Sequence, residues 1–421
     1  MVGYMTSLAE QPASCFSVAS TVNLQTISTN HLKNKRVIVR VDFNVPIENG
    51  VIQDNSRIKN AFPTIKLLRE AGAKIILISH LGKTTAPCAE QSLRILIDEV
   101  AREYGSNVAF IDDCLAENAA SIINNSNAGD IILMENLRFH PEEEKCDMKF
   151  AKRLASLADL YVNEAFSVSH RKHASIWGIP QFLVSAFGIS FKREVRTIDD
   201  FYNKAPSPKI CIIGGAKLST KIKLLKNLVK KVDKLIIGGK IVEAFLAFQG
   251  NSSFKLVDLG EFKEDVAEII ANARQRGCEL IMPIDFSAMI CENGVFHHAI
   301  VSSESDVATI FDIGPASIEL FKRHIEKSKI VLWNGPVGLF EKAPFDRGTA
   351  AIAQLVAKLT RERKLLSIIG GGDTGFAMNK FNAAQDMTYV STAGGAFLSY
   401  LEGSELPGIA AIPDPKKTPG R

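Results

Sequence analysis

Past residue 22 the chain alternates short apolar runs with helical patterns, and it does so twice over. The first half offers strands near 36–43 (RVIVRVDF), 74–79, 108–111, 131–134 and 159–163. Between them lie helical patterns at 60–71, 92–104 and 142–158; the last has Pro141 at its start and Glu142, Glu143 and Glu144 in its first turn, where acids suit the helix dipole. The second half offers strands at 209–213, 234–237, 279–285, 329–333, 365–369 and 388–391. These strands are continuously apolar rather than alternating, as expected of parallel sheets covered on both faces by helices. The pattern predicts an α/β chain of two doubly wound, three-layer domains. The charged helical stretch 189–205, ending before Pro206 and Pro208, is the expected connection. Residues 1–22 hold no Lys or Arg and read as a disordered extension, neither signal nor transit peptide. The tail 402–421, rich in Pro and Gly, predicts no regular element.

Composition narrows the function classes. With 421 residues, 46% hydrophobic and 23% charged, the chain has enough sequence for two cores. A net charge of +4 is too mild to argue for nucleic acid. Seven scattered cysteines without a C-x-x-C point to reduced thiols in a cytoplasmic setting. No apolar run reaches the length that spans a bilayer.

In open parallel sheets ligands sit beyond the C-terminal strand ends, so the residues there carry the chemistry. In the second half glycine recurs: Gly214-Gly215 ahead of Lys217 and Lys221, Gly238-Gly239, Gly335, Gly370 to Gly372 and Gly394-Gly395. Five such ends predict a backbone surface shaped for a nucleotide. The stretch LLSIIGGGDTGFAM (365–378) reads as a strand, an anion-binding loop and a helix start, with Asp373 placed to hold a metal bridging phosphates. The first half carries charge and imidazole instead: Asp42-Phe43-Asn44, Arg57, His80 with Lys83, Arg138 and His140, and His170, Arg171 and His173. Together they suggest a socket for a small, multiply charged anion.

Rival motifs fare worse. Gly370-x-Gly372-x-x-Gly375 fits a dinucleotide fingerprint, but the next strand ends in Ser391-Thr392, without the acid that would take the ribose. Gly82-Lys83-Thr84 hints at a Walker A loop, yet Leu77 stands where that motif needs glycine. Cys291, His297 and His298 are read as an incidental grouping rather than a metal site. A nucleotide-binding scaffold that has lost catalysis is the rival from another class, favoured only by Lys83 and Lys240.

The motifs RVDFNVP (40–46), SHLG (79–82), ENLRFHPEEE (135–144), GGAKLSTKI (214–222), DIGP (312–315), WNGPVGLFE (333–341), GGGDT (370–374) and STAGGA (391–396) resemble the phosphoglycerate kinase family, in its order and spacing from about residue 23 to 410. The resemblance implies two Rossmann-like domains and the reaction 1,3-bisphosphoglycerate + ADP ⇌ 3-phosphoglycerate + ATP, with Mg²⁺ and in-line transfer after hinge closure. It implies an N-terminal phosphoglycerate domain (23–188), a hinge helix (189–205), a C-terminal nucleotide domain (206–400), and a tail (401–421) returning to the first domain. Asp42, Phe43 and Asn44 then look like contacts to the glycerate, and Arg57, His80, Lys83, Arg138 and Arg171 like the grip on its phosphate and carboxyl end. Lys217 and Lys221 resemble the lysines on the nucleotide phosphates, Glu341 the acceptor from ribose hydroxyls. Gly371, Gly372, Asp373 and Thr374 resemble the phosphate and Mg²⁺ loop, with Gly394 and Gly395 as backbone donors near the transferred group. Arg57, Lys217, Gly372, Gly394 and Gly395 form the implied catalytic set. A cytoplasmic monomer is the family's usual state. Four positions depart from the pattern: Lys83 for arginine, Lys240 for the third glycine after 234–237, Glu164 for aspartate before Ala165-Phe166, and Ala316 for a lysine after DIGP. The loop 83–92 is also short, and the proline that often follows Ser-Leu is absent after Ser92-Leu93.

Overall fold

The computed structural model describes residues 29–251, 259–292, 295–302 and 309–412. The extension 1–22 and the last nine residues of the tail lie outside them. Two six-stranded parallel sheets, each flanked by helices, form the two halves of the molecule. The first runs in the order Val108–Ile111, Ile131–Met134, Lys74–Ile78, Arg36–Arg40, Leu160–Asn163, Val184–Phe187. The second runs Glu279–Ile281, Lys234–Ile237, Lys209–Ile213, Ile330–Asn334, Leu366–Gly370, Tyr389–Val390. In the second the chain winds outward from the centre in both directions; in the first it does so except that Val108–Ile111 takes the edge before Ile131–Met134 fills the place inside it. The switch lies between Arg36–Arg40 and Leu160–Asn163 in one sheet, and between Lys209–Ile213 and Ile330–Asn334 in the other. Loops diverge at those points and leave crevices. No helix among the described residues is long and apolar enough to cross a membrane.

Four expectations need correction. Val184–Phe187 is a sixth strand in the first sheet, too short and too near a helical pattern to stand out. The run 279–285 splits, and Asp285–Glu292 turns away into a separate antiparallel sheet with Val295–Ser302 and Thr309–Ile313. The helix expected over 142–158 covers only Met148–Ala155, because Asp147 caps it by accepting from the N–H groups of Lys149 (2.8 Å) and Phe150 (2.9 Å). Glu143 instead turns inward and accepts from Ser175 N (2.8 Å). In the tail, Pro407–Ala410 forms a short helix, and Gly408 N donates to Ser169 O (2.9 Å) in the first half.

The connecting helix, Ile189–Asn203, is a shared core element. Its buried Phe191, Val195, Ile198 and Phe201 belong to one apolar cluster that runs from Ile38 in the first sheet to Cys211 in the second. The N–H groups of its first turn are satisfied from the first half. Ile189 N donates to Thr64 Oγ1 (2.8 Å), while Ser190 N (3.0 Å) and Phe191 N (3.2 Å) donate to the Glu164 carboxylate. From the middle of the same helix, Glu194 accepts from Ser391 Oγ (2.9 Å) in the second half.

Backbone crowding holds the strand ends of the second sheet. A Cβ on Gly214 would stand 2.0 Å from Pro336 O, and one on Gly335 (φ +88°) 2.2 Å from Gly214 O. Gly214→Ala should therefore cost about 3 kcal/mol of stability in denaturant unfolding. Burial of Glu194 raises its pKa from 4.5 to about 7, despite hydrogen bonds from Ser391 and Tyr389. The stability this carboxyl contributes is complete below about pH 4.5 and lost as pH rises through 7. Glu194→Gln, which cannot ionise, should thus gain on the native chain by up to about 3 kcal/mol between pH 4.5 and 8, measured by denaturation across that range.

Candidate active site

At the C-terminal edge of the first sheet, the strand Arg36–Arg40 delivers Asp42 into the crevice at the switch point. Asp42 is buried and paired with Arg57 Nη1 at 2.8 Å; Ser167 Oγ donates to the same carboxylate and Asn44 N to its other oxygen (3.1 Å). Burial pushes the Asp42 pKa up, but Arg57, His80, Ser167 and Arg40 outweigh it and hold the carboxyl below its ordinary value. Arg57 stands on the first turn of the helix Ser56–Glu70 and also donates to Asn44 O (2.9 Å). His80 is buried and held neutral, first by burial and then by the nearby Arg40 charge; Arg40 Nη2 donates to its Nδ1 (3.2 Å). Arg138 is also buried, and its guanidinium reaches Gly82 O and approaches Glu144 at 3.2 Å. Arg171 Nε donates to His170 Nε2 (3.3 Å), and His170 Nδ1 is buried with no hydrogen-bond partner. Lys83 is exposed, and Phe43 is buried in the core of the first half, so only its backbone faces the crevice edge.

Arg40 escaped the sequence reading. It lies fully buried behind this edge, donating to Ser175 Oγ (2.9 Å), which itself bonds Glu143. The signal was available: a guanidinium at the end of an otherwise apolar buried strand, RVIVR, must have a polar partner. His173 belongs to the same layer, its pKa lowered to about 4 chiefly by burial and by the surrounding arginines.

The second edge is built from the crowded loops. Lys221 Nζ donates to Asn334 Oδ1, while Asn334 Nδ2 donates to Gly370 O (2.7 Å). Burial lowers the Lys221 pKa, with Asp373 pulling the other way. Gly371, at φ +96°, turns the chain into the helix Gly372–Lys380, which carries exposed Asp373 in its first turn. Thr374 is buried, and its hydroxyl receives Gly335 N–H (2.7 Å), so its side chain braces the loop after Ile330–Asn334. The glycines differ in what surrounds them: Gly214, Gly239, Gly335 and Gly370 are required by neighbouring backbone or by Phe397, whereas Gly372 and Gly394 face open space. Beside them lies a cavity of about 280 Å³ lined by Gly215, Lys240, Phe286, Ile310, Leu339, Phe340, Glu341 and Asp373 among others. Part of its wall comes from Thr309–Ile313, a strand the sequence pattern did not predict. Lys217 is exposed at the loop between the strand Lys209–Ile213 and the next helix.

The two edges meet at one cleft. A cavity of about 290 Å³ is lined by Asp42, Arg57 and Ser167 from the first half, Glu194 from the connecting helix, and Tyr389, Thr392 and Ala393 from the second. Asn60 Nδ2 donates to Thr392 Oγ1 (3.2 Å) across it. His170 Nε2 lies 3.2 Å from where a Cβ on Gly395 would stand. Asp42 and Arg57 thereby share a cavity with the second half, and His170 meets Gly395. Glu341 and Asp373 line the separate 280 Å³ cavity.

The family model described as phosphoglycerate kinase matches residues 27–404. Among curated relatives, the phosphoglycerate kinase of Wolbachia pipientis wMel is 44% identical over 401 residues, covering 93% of this chain and 99% of its own length. That of Caulobacter vibrioides is 41% identical, covering 93% and 100%. The solved structure of phosphoglycerate kinase from Coxiella burnetii superposes with a TM-score of 0.81 at 35% identity, covering 93% of this chain and 98% of that one. The enzyme from Pyrococcus horikoshii gives a TM-score of 0.75 at 28% identity, with the same coverage. With two doubly wound sheets, an arginine-lined edge and a lysine- and glycine-lined edge already in place, the chain belongs to the phosphoglycerate kinase family of glycolytic phosphotransferases with a carboxyl acceptor.

Proposed function

We propose that the first edge holds the three-carbon acid phosphate and the second the nucleotide, and that phosphoryl transfer between 1,3-bisphosphoglycerate and ADP takes place in the cleft between them. One observation carries this reading: the C-terminal edges of both sheets reach the same cleft, with Arg57, Thr392 and Ala393 lining one cavity and His170 against Gly395. Asp42 and Asn44 would bind the glycerate hydroxyl and carboxylate, with the Phe43 backbone beside them. Arg57, His80, Arg138, Arg171 and Lys83 would hold the phosphate and carboxyl end. Lys217 and Lys221 would take the nucleotide phosphates, Glu341 the ribose hydroxyls, and Gly371, Gly372 and Thr374 the phosphate loop.

The acceptor carboxylate, with a free pKa of about 4, is ionised at neutral pH and needs no general base. The barrier is charge repulsion between that carboxylate and the terminal phosphate. Arg57 and Lys217, with the N–H groups of Gly372, Gly394 and Gly395, are the donors proposed to offset it as the phosphoryl group moves. Each such donor is worth about 3–4 kcal/mol. The surroundings suit a nucleotide-bound Mg²⁺: Asp373 is exposed and without an ion pair among the described residues. A hard cation of that kind takes one carboxylate and leaves its other positions to phosphate and water. When bound, Mg²⁺ offsets phosphate charge. Residues 23–188 and 206–400 are the proposed substrate domains, closing about the helix 189–205 to exclude water, with the 401–421 tail returning to the first. We place the chain in the cytoplasm as a monomer.

Mixing the full chain with Mg-ATP and 3-phosphoglycerate, coupled to consumption of the acyl phosphate, tests the reading; no turnover with intact ADP binding would sink it. Lys217→Ala should lower kcat on the order of 100- to 1000-fold while leaving 3-phosphoglycerate affinity unchanged. Loss of that affinity would contradict the place assigned to Lys217.

A further inference from the structure

Lys240 departs from the family's glycine at a position where the structure gives it something to do. Its backbone is fixed: Gly239, at φ +62°, packs so closely that a Cβ there would lie 2.6 Å from Gly215 N. Gly239 N donates to Val337 O (3.0 Å) and Ile241 N to Gly215 O (3.2 Å). This sets Lys240 beside Gly215, in the loop that leads to Lys217 and Lys221. Among the described residues it is the one cation lining the 280 Å³ cavity, whose wall also carries Asp312, Glu341 and Asp373. Asp312 is occupied by the N–H groups of Gly348 (2.7 Å) and Ile313 (2.9 Å). Among the described residues no carboxylate comes within ion-pair distance of Lys240, and Glu243, the acid next along its own chain, is half-buried.

An exposed ammonium on a cavity wall has two possible ligands in a nucleotide, the base edge or a phosphate. Much of the cavity is apolar, with Phe286, Ile310, Leu339 and Phe340 on its walls. Pressing a charged head against a neutral base there would strip its water without returning a charge. The lysine stem can instead lie along the wall while its head stays at the wet mouth. Resting on the nucleotide reading of this cavity, we propose that Lys240 is a nucleotide-affinity residue, pairing with the phosphate next to the ribose rather than with the one transferred. Lys217 and Lys221 serve the reacting end; Lys240 lies between that loop and the apolar walls.

The charge on this phosphate does not change during transfer, so the contact binds ground state and transition state alike. Removing it acts on KM and leaves kcat alone. Titrations of the full chain with ADP and with adenosine, in the native form, Lys240→Met and Lys240→Arg, test the assignment. Lys240→Met keeps the stem and drops the charge; it should weaken ADP about five- to tenfold, spare adenosine, and reduce the salt dependence of ADP binding. Lys240→Arg should retain ADP affinity. In turnover, Lys240→Met should raise the nucleotide KM at constant kcat. Equal weakening of ADP and adenosine would assign Lys240 to the base wall and overturn the proposal, as would unchanged ADP affinity. A native chain that binds no ADP would sink the nucleotide reading of the cavity itself, and Lys240's role with it.

Discussion

One buried carboxylate fixes how the two halves of the molecule sit together. Glu164 follows the strand Leu160–Asn163, yet its oxygens receive the Thr64 hydroxyl at 2.8 Å and two N–H groups of the connecting helix. Those N–H groups have no partners within the helix, and burying them unpaired would cost more than any surface contact could return. The aspartate usual in the family has one methylene less. Here the longer side chain lies against the chain at Gly188, where a Cβ would fall 1.7 Å from its Oε2, so Gly188 and Glu164 are a matched pair. Burial raises the Glu164 pKa to about 7, against these hydrogen bonds that favour its charge. The helix it caps then carries the continuous apolar core and Glu194's bond to Ser391, and through these the cleft takes its shape.

The first edge solves a charge problem in layers. Arg57, Arg138 and Arg171 gather at one crevice, and like charges at that density repel unless balanced. Asp42 supplies an anion in front, and the Glu143–Ser175–Arg40 network supplies one behind. Between the layers His80 and His173 are held uncharged, so they add hydrogen-bonding capacity without adding repulsion. The net positive character left over is what the polyanion proposed for this edge would meet.

Much of this was legible in the sequence, for definable reasons. Strands buried on both faces leave continuous apolar runs, and ten of the twelve parallel strands coincide closely with such runs; Glu279–Ile281 is half of one and Val184–Phe187 lay outside them all. Candidate site residues could be named because ligands gather at strand ends, which can be found from periodicity alone. What stayed hidden depends on contacts remote in sequence. Glu143 looked like a helix-start acid because its partner, Ser175, is 32 residues away. Of the antiparallel strands, Val295–Ser302 is exposed or half-exposed along its whole length, so it leaves no apolar run of the kind that marked the buried strands. The glycines were read as ligand-shaped, when four of them are set by crowding between loops that only the fold brings together.

That crowding bears on how the proposed nucleotide edge would work. Asn334 is the knot: it receives Lys221, donates to Gly370 O, and lies one residue before Gly335, whose N–H is held by Thr374. Loops after three different strands are thus joined through one amide side chain and one hydroxyl. A site assembled from flexible loops would have to order them when the anion arrives, at a cost in affinity and rate. Here backbone contact and buried hydrogen bonds have fixed the loops beforehand. Lys221 is also partly stripped of water and tethered to a neutral oxygen, a weaker partner than a carboxylate would be. An entering phosphate can take that ammonium from Asn334 without breaking an ion pair, so the charge is both positioned and available.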